Sequence, residues 1–168
     1  MTNAQWREKI LYVAKKNIGY GEETANNEGH YLELIGSKPG YEWCAVFAGY
    51  CYRRSFELLN PKAEHPPLWL YRNGNLNRAE PGAKALAKLI GKNGVRFLDP
   101  LQALPGDVVS WHRGFMNLKG HIGIIEKINK SGSIYTIEGN VGRFPAVVHR
   151  LSHDVNKEKL FTFAGVRD

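Results

Sequence analysis

The segment Trp43 to Leu59, WCAVFAGYCYRRSFELL, is apolar on nearly every face through its first half. A helix that is hydrophobic all round has to lie at the centre of a domain, so the rest of the chain must be arranged to cover it. Asn60-Pro61 ends it, because the residue before a proline is pushed out of helical backbone. Upstream, Thr2-Asn3-Ala4-Gln5 fits a capping box. Trp6, Ile10, Val13 and Asn17, widened by Ala14 and Ile18, then follow at helical spacing until Gly19 and Gly21. This predicts a first helix over 2–18. Residues 19–43 are rich in Gly, Asn and aromatics and contain the turn signal Lys38-Pro39-Gly40, so they read as loop with a short helix around Tyr31 to Ile35. Residues 60–80 read as irregular, and Pro81 to Ile90 as a short helix with proline at its start and Gly91 at its end.

After Pro105-Gly106 the pattern changes. Asp107–Trp111, His121–Ile128, Ile134–Glu138, Ala146–Leu151 and Phe161–Arg167 are rich in Val, Ile and aromatics and read as strands. Asn129 to Ser133, with Gly132, joins the second and third as a hairpin. Helices followed by a run of antiparallel strands is an α+β arrangement. With 168 residues, one domain spanning 1–168 is expected.

Composition narrows the function classes. Hydrophobic residues are 43% and charged residues 23%, which excludes a disordered, collagen-like or coiled-coil chain. Charges interrupt every apolar run well short of the roughly 18 residues a spanning helix needs, so no membrane insertion is expected. Met1 to Asn17 carries Arg7, Glu8, Lys9, Lys15 and Lys16 around the apolar stretch Ile10 to Ala14, and does not read as a signal peptide. The formal charge of +7 suits an anionic partner. Basic residues occur at most in pairs, without a zinc-finger spacing or an RNP-like aromatic run, and nucleic acid is not the expected partner.

Cys44 stands where a loop meets the start of the buried helix, and the partial positive charge of a helix N-terminus favours thiolate over thiol. That is a nucleophile's position. Cys51, about two turns on, is too far for a disulfide and reads as a small core residue. His121 opens a strand and can reach a helix-end cysteine. Glu138 ends the hairpin partner of that strand and can accept the imidazole N–H. Three rivals fall on geometry. His149 and His153 lie on a strand pattern, where four residues span about 13 Å, too far to share a metal. Ser110 lacks a nucleophile-elbow context. Gly19-Tyr20-Gly21 lacks the third glycine and the preceding strand of a nucleotide loop. No metal or cofactor is implied.

The segments Tyr41-Glu42-Trp43-Cys44-Ala45-Val46-Phe47, Pro105-Gly106-Asp107-Val108-Val109, Gly120-His121-Ile122-Gly123-Ile124-Ile125 and Glu138-Gly139-Asn140, in that order, resemble the CHAP family, the cysteine- and histidine-dependent amidohydrolases/peptidases. The resemblance covers roughly residues 6–167. It implies a papain-like fold, N-terminal helices packed on a C-terminal antiparallel sheet of about five to six strands. It further implies peptidoglycan hydrolysis, with Cys44 as nucleophile, His121 as general base and acid, Glu138 orienting the imidazole and Asn140 as a further polar member. Many family members carry Gln where this chain has Trp43. The side-chain oxyanion donor is therefore sought at Tyr31 or Tyr41, beside the backbone N–H of Cys44. The acidic third residue separates the chain from the sister NlpC-like group, in which a second histidine is common.

Tyr41, Trp43, Trp69 and Tyr71 are the aromatics expected to line a substrate groove. The expected activity is cleavage of an amide bond in peptidoglycan, as an N-acetylmuramoyl-L-alanine amidase or a stem-peptide or cross-bridge endopeptidase. The alternative is a non-catalytic basic module binding cell wall or nucleic acid on the same scaffold. Without a signal peptide the routes to the wall are phage-type release through a membrane pore or specialised secretion, the latter with delivery machinery and an immunity protein as partners. A monomer is expected.

Overall fold

The computed structural model describes residues 1–71, 82–97, 99–113, 119–129, 131–154 and 162–167. Helix α1 (Asn3–Lys16) starts in the expected capping box. Gln5 N–H donates to Thr2 Oγ1 at 3.2 Å and Thr2 N–H to Gln5 Oε1 at 2.9 Å. Its face Trp6, Ile10, Val13 and Ala14 is buried. Short α2 (His30–Leu34) follows the glycine-rich loop, then the central α3 (Cys44–Leu59). From Cys44 to Ala48 every residue of α3 is buried, as its all-round hydrophobicity requires. Asn60 closes it, its side-chain amide donating to the Phe56 carbonyl. Helix α4 spans Ala83–Asn93. The expected helix start at Pro81 and strand start at Phe161 lie outside the described residues.

The strands are β1 (Val95–Phe97), β2 (Val108–Arg113), β3 (Lys119–Ile128), β4 (Ser133–Val141), β5 (Val147–Asp154) and β6 (Thr162–Gly165). They form one antiparallel sheet in the order β1-β6-β2-β3-β4-β5. The expected strands are present, and β1 is an addition. With three residues it is too short to show a period-2 pattern, and it is held by pairing with β6. One face of the sheet, including Val108, Ile122, Ile124, Ile137, Val148 and Ala164, packs on α1, α3 and α4. The other carries a smaller cluster of Val109, Trp111, Ile125, Ile134 and Phe163.

Two motifs serve this architecture. Gly106 has φ +91°, and a Cβ there would lie 2.4 Å from the Arg7 carbonyl oxygen, so only glycine lets the start of β2 press against α1. Its carbonyl accepts from Tyr52 Oη of α3 at 3.2 Å. The next residue, fully buried Asp107, forms a bidentate ion pair with Arg167 just past β6 and accepts the Leu104 N–H. Asp107 is therefore a strut tying β2 to the chain's end, not a chemical group of the site.

Candidate active site

Cys44 is the first residue of α3 and is 3% exposed. Trp43, in non-helical backbone, is the N-cap. The Trp43 ring is fully buried, and its indole N–H donates to Glu22 Oε1 at 3.3 Å. Glu22, itself buried, also accepts the Asn27 N–H at 2.9 Å and, through Oε2, the Ala146 N–H at 2.8 Å. One carboxylate thus ties the loop after α1, the residue before Cys44 and the β4–β5 connection together. From the other side Gly139 of β4 meets the same start of α3. A Cβ there would sit 2.7 Å from Trp43 Cζ3 and 2.8 Å from Phe47 Cβ. This close approach brings the helix start against the strand that carries Glu138.

His121 lies on β3 and is 2% exposed. Its Nε2 is 3.0 Å from Oε2 of Glu138, and the Cys44 sulfur interacts with the same ring. Gly123 makes the first of these contacts possible. It shares a face with His121, two residues away, and a Cβ there would be 2.7 Å from Glu138 Cγ, so its bare backbone leaves the channel through which the carboxylate reaches the imidazole. An ionised carboxylate only accepts, which assigns the proton to Nε2 and leaves Nδ1 for the thiol.

Burial works against the imidazolium, but hydrogen bonds to Cys44 and Glu138 and the charges of both outweigh it, and the pKa of His121 is pushed up to about 9. Burial likewise works against the Glu138 carboxylate, but hydrogen bonds from His121 and His153 win, and its pKa is lowered to about 2. At neutral pH the imidazolium is therefore favoured, between the Glu138 carboxylate and the sulfur of Cys44 at a helix N-terminus. Cys51 differs. It is fully buried in mid-helix, and desolvation pushes its thiol well above the usual range. Both cysteines are free.

The second oxygen of Glu138 is also engaged. Oε1 accepts from Thr136 Oγ1 and from His153 Nε2, the latter at 2.5 Å. The Trp111 ring contacts both imidazoles, with centroids 5.1 Å from His121 and 4.8 Å from His153. Sequence reasoning met His153 only as half of a rejected metal pair. In the ladder it lies opposite Ile134, whereas His149 lies opposite Glu138. The Glu138 side chain runs back along β4 past Thr136, so it meets His153, while His149 stays exposed.

The other expected residues divide. Asn140, in left-handed backbone at φ 61° on the irregular end of β4, makes no side-chain hydrogen bond among the described residues. Tyr31 is buried, with Tyr20 stacked on it at 5.5 Å and Trp43 edge-on at 6.2 Å. Its phenol oxygen has no hydrogen-bond partner, and burial pushes its pKa up. No hydrogen bond joins it to Cys44. The Cys44 backbone N–H is one of the first-turn donors a helix leaves unpaired.

Of the four aromatics expected to line a groove, the structure corrects Trp43, which is fully buried. Trp43 is core, turned inward by Glu22. Trp69 is half-buried against Trp6, centroids 6.2 Å apart, where Trp6 packs on Phe56. Phe56 is three turns beyond Cys44, roughly 18 Å along the helix. Tyr71 sits by Arg53, 5.2 Å from its guanidinium carbon, again roughly 13 Å along α3 from Cys44. Burial of large apolar rings, worth about 1.5–3 kcal/mol each, accounts for these placements. Tyr41 is 55% exposed, three residues before the cysteine.

Among the described residues no group of three or more His, Cys, Asp or Glu side chains is placed to hold a metal ion, and no helix is long and apolar enough to cross a membrane. Residues 36–140 match the CHAP domain family. Among solved structures, "The crystal structure of Ly7917" is similar with a TM-score of 0.54 at 17% identity, over 95% of this chain and 62% of that one. "Structure of NlpC1 from Trichomonas vaginalis" is similar with a TM-score of 0.49 at 14% identity, over 99% of this chain and 45% of that one. The chain thus spans less than two thirds of the length of either. No match was found among curated proteins.

Proposed function

The chain belongs to the CHAP family of cysteine- and histidine-dependent amidohydrolases and peptidases, with the papain-like arrangement of helices on an antiparallel sheet, and from that premise we propose that it hydrolyses an amide bond of peptidoglycan with Cys44 as nucleophile. The observation that carries this reading is the buried line Cys44–His121–Glu138, in which the imidazolium is favoured at neutral pH beside the Cys44 sulfur at a helix start. In the reaction the Cys44 proton resides on His121. The thiolate attacks the amide carbonyl, and the tetrahedral oxyanion is met by the unpaired N–H of Cys44. The imidazolium gives its proton to the leaving nitrogen, the C–N bond breaks, and an amine and a thioester remain. Neutral His121 then takes a proton from water as the water attacks the thioester, and returns it as the thiolate leaves with the acid product released. Glu138 holds the ring through both halves. Tyr41, exposed beside the nucleophile, is the aromatic offered to substrate.

Digestion of purified peptidoglycan by the wild type and by Cys44→Ala, with mass spectrometry of the soluble products, tests the proposal. New muramic acid and L-alanine termini identify an amidase, and new peptide termini an endopeptidase. Equal product from both proteins, or none from a folded wild type on sacculi of several cross-link chemistries, overturns it.

A further inference from the structure

Glu138 receives more than an orienting carboxylate needs. Oε2 binds Nε2 of His121 at 3.0 Å, while Oε1 accepts from both Nε2 of His153 and the hydroxyl of Thr136. Glu138 is 1% exposed, and the His153 side chain 11%. His153 comes from β5, two strands away from the β3 histidine, and the Trp111 ring of β2 contacts both imidazoles. Three strands therefore meet at one carboxylate, and a fourth packs on both imidazoles. Because that carboxylate only accepts, His153 must present Nε2–H to it.

We propose that His153 is a positioning residue of the thiol site: it pins Oε1 of Glu138 so that Oε2 stays aimed at His121 and the imidazole stays aimed at Cys44. The proposal rests on the reading of Cys44 as the nucleophile. A carboxylate held at one oxygen by a hydroxyl alone can swing about its terminal torsion, which is broad and roughly two-fold. A second donor from a different strand removes that freedom. Among the described residues His153 faces Glu138 of β4, His121 of β3 across that carboxylate, and the Trp111 ring of β2. Held this way, Glu138 also stays ionised, and His121 keeps a full negative charge beside it.

The first readout of the test needs no substrate. The rate of Cys44 alkylation by iodoacetamide at pH 6 is measured in the full chain, with turnover on peptidoglycan beside it. His153→Phe keeps a ring against Trp111 and removes the donor, whereas His153→Gln restores an N–H at about the same reach. The expected result is about a tenfold slower alkylation for the Phe variant. Turnover should fall in kcat rather than rise in KM, and the Gln variant should return to within about threefold of wild type. In a Glu138→Gln background, His153→Phe should add less than about twofold, since its effect travels through that carboxylate. A folded Phe variant alkylated at the wild-type rate overturns the proposal, as does an equal loss in both backgrounds. If the Phe variant does not unfold cooperatively, His153→Asn, one methylene too short, is compared with His153→Gln, and equal rates in the two overturn it. Alkylation that behaves as expected in a protein that cleaves no peptidoglycan overturns the substrate reading instead and leaves this one standing.

Discussion

Gly139→Ala tests how the fold delivers Cys44 to its partners. The added Cβ would lie 2.7 Å from Trp43 Cζ3 and 2.8 Å from Phe47 Cβ, against about 3.5–4.0 Å for a comfortable carbon contact. Neither neighbour yields easily. Phe47 Cβ is fixed to the helix backbone, and the Trp43 indole is held by Glu22. Overpacking of this kind costs about 1–3 kcal/mol. Replacing glycine returns about 0.4–1 kcal/mol by restricting the unfolded chain, so a net loss of about 1–2 kcal/mol is expected. For a domain of this size that lowers Tm by about 2–8 °C. The strain is relieved by moving the start of α3 away from β4, which carries Cys44 away from His121, and misplacement by a fraction of an ångström to 1 Å costs about tenfold or more in turnover. Thermal unfolding and peptidoglycan turnover on one preparation read both effects. An unchanged Tm with kcat within about twofold of wild type would refute the idea that this close approach sets the nucleophile's place.

Cys44→Ala should abolish turnover while the protein stays folded, and Cys51→Ala should leave turnover largely intact, read by product release and circular dichroism. His121→Ala should be as damaging as loss of the thiol, because nucleophile and base act as a unit, whereas Glu138→Gln should retain part of the activity. The His121 pKa is raised from 6.5 to about 9, so its contribution to stability is complete below 6.5 and lost as pH rises through 9. That of Glu138, lowered from 4.5 to about 2, is complete above 4.5 and lost as pH falls through 2. Together they contribute on the order of 3 kcal/mol, counted once because the two shifts report one pair. Urea denaturation at pH 3, 5.5 and 9.5 should show that difference between the wild type and a His121→Gln/Glu138→Gln variant in full near pH 5.5, reduced to roughly half at pH 3 and nearly lost at pH 9.5. With +7 on the chain and screening over about 8 Å at physiological salt, raising salt toward 0.5 M should increase apparent KM on sacculi and leave kcat nearly flat. A constant KM would assign the charge another role.

What was legible in the sequence was local. The buried helix, its cysteine at the first position and the hairpin carrying His121 and Glu138 all follow from periodicity, caps and turn residues, which act over a few neighbours. The triad's assembly also left a trace in Gly123 and Gly139, where a strand without side chains marks close approach. The misses are tertiary. Trp43 has a ring that suits a groove or a core equally, and only the carboxylate of Glu22, met from residue 146 as well as from its own loop, decides that it turns inward. His153 could not be assigned from spacing, because its contact depends on the direction in which the Glu138 side chain lies along β4. Strand β1 has too few residues to carry a pattern and exists because β6, the last strand in the chain, inserts between it and β2.

The central claim is that Cys44 is the nucleophile and that His121 activates it, and the rate of Cys44 alkylation at neutral pH measures this most directly. With Cys51 buried and silent, iodoacetamide reports a single thiol. The account predicts that at pH 7 the wild type is alkylated about tenfold or more faster than a folded His121→Ala variant. A wild-type rate equal to that of His121→Ala would contradict it.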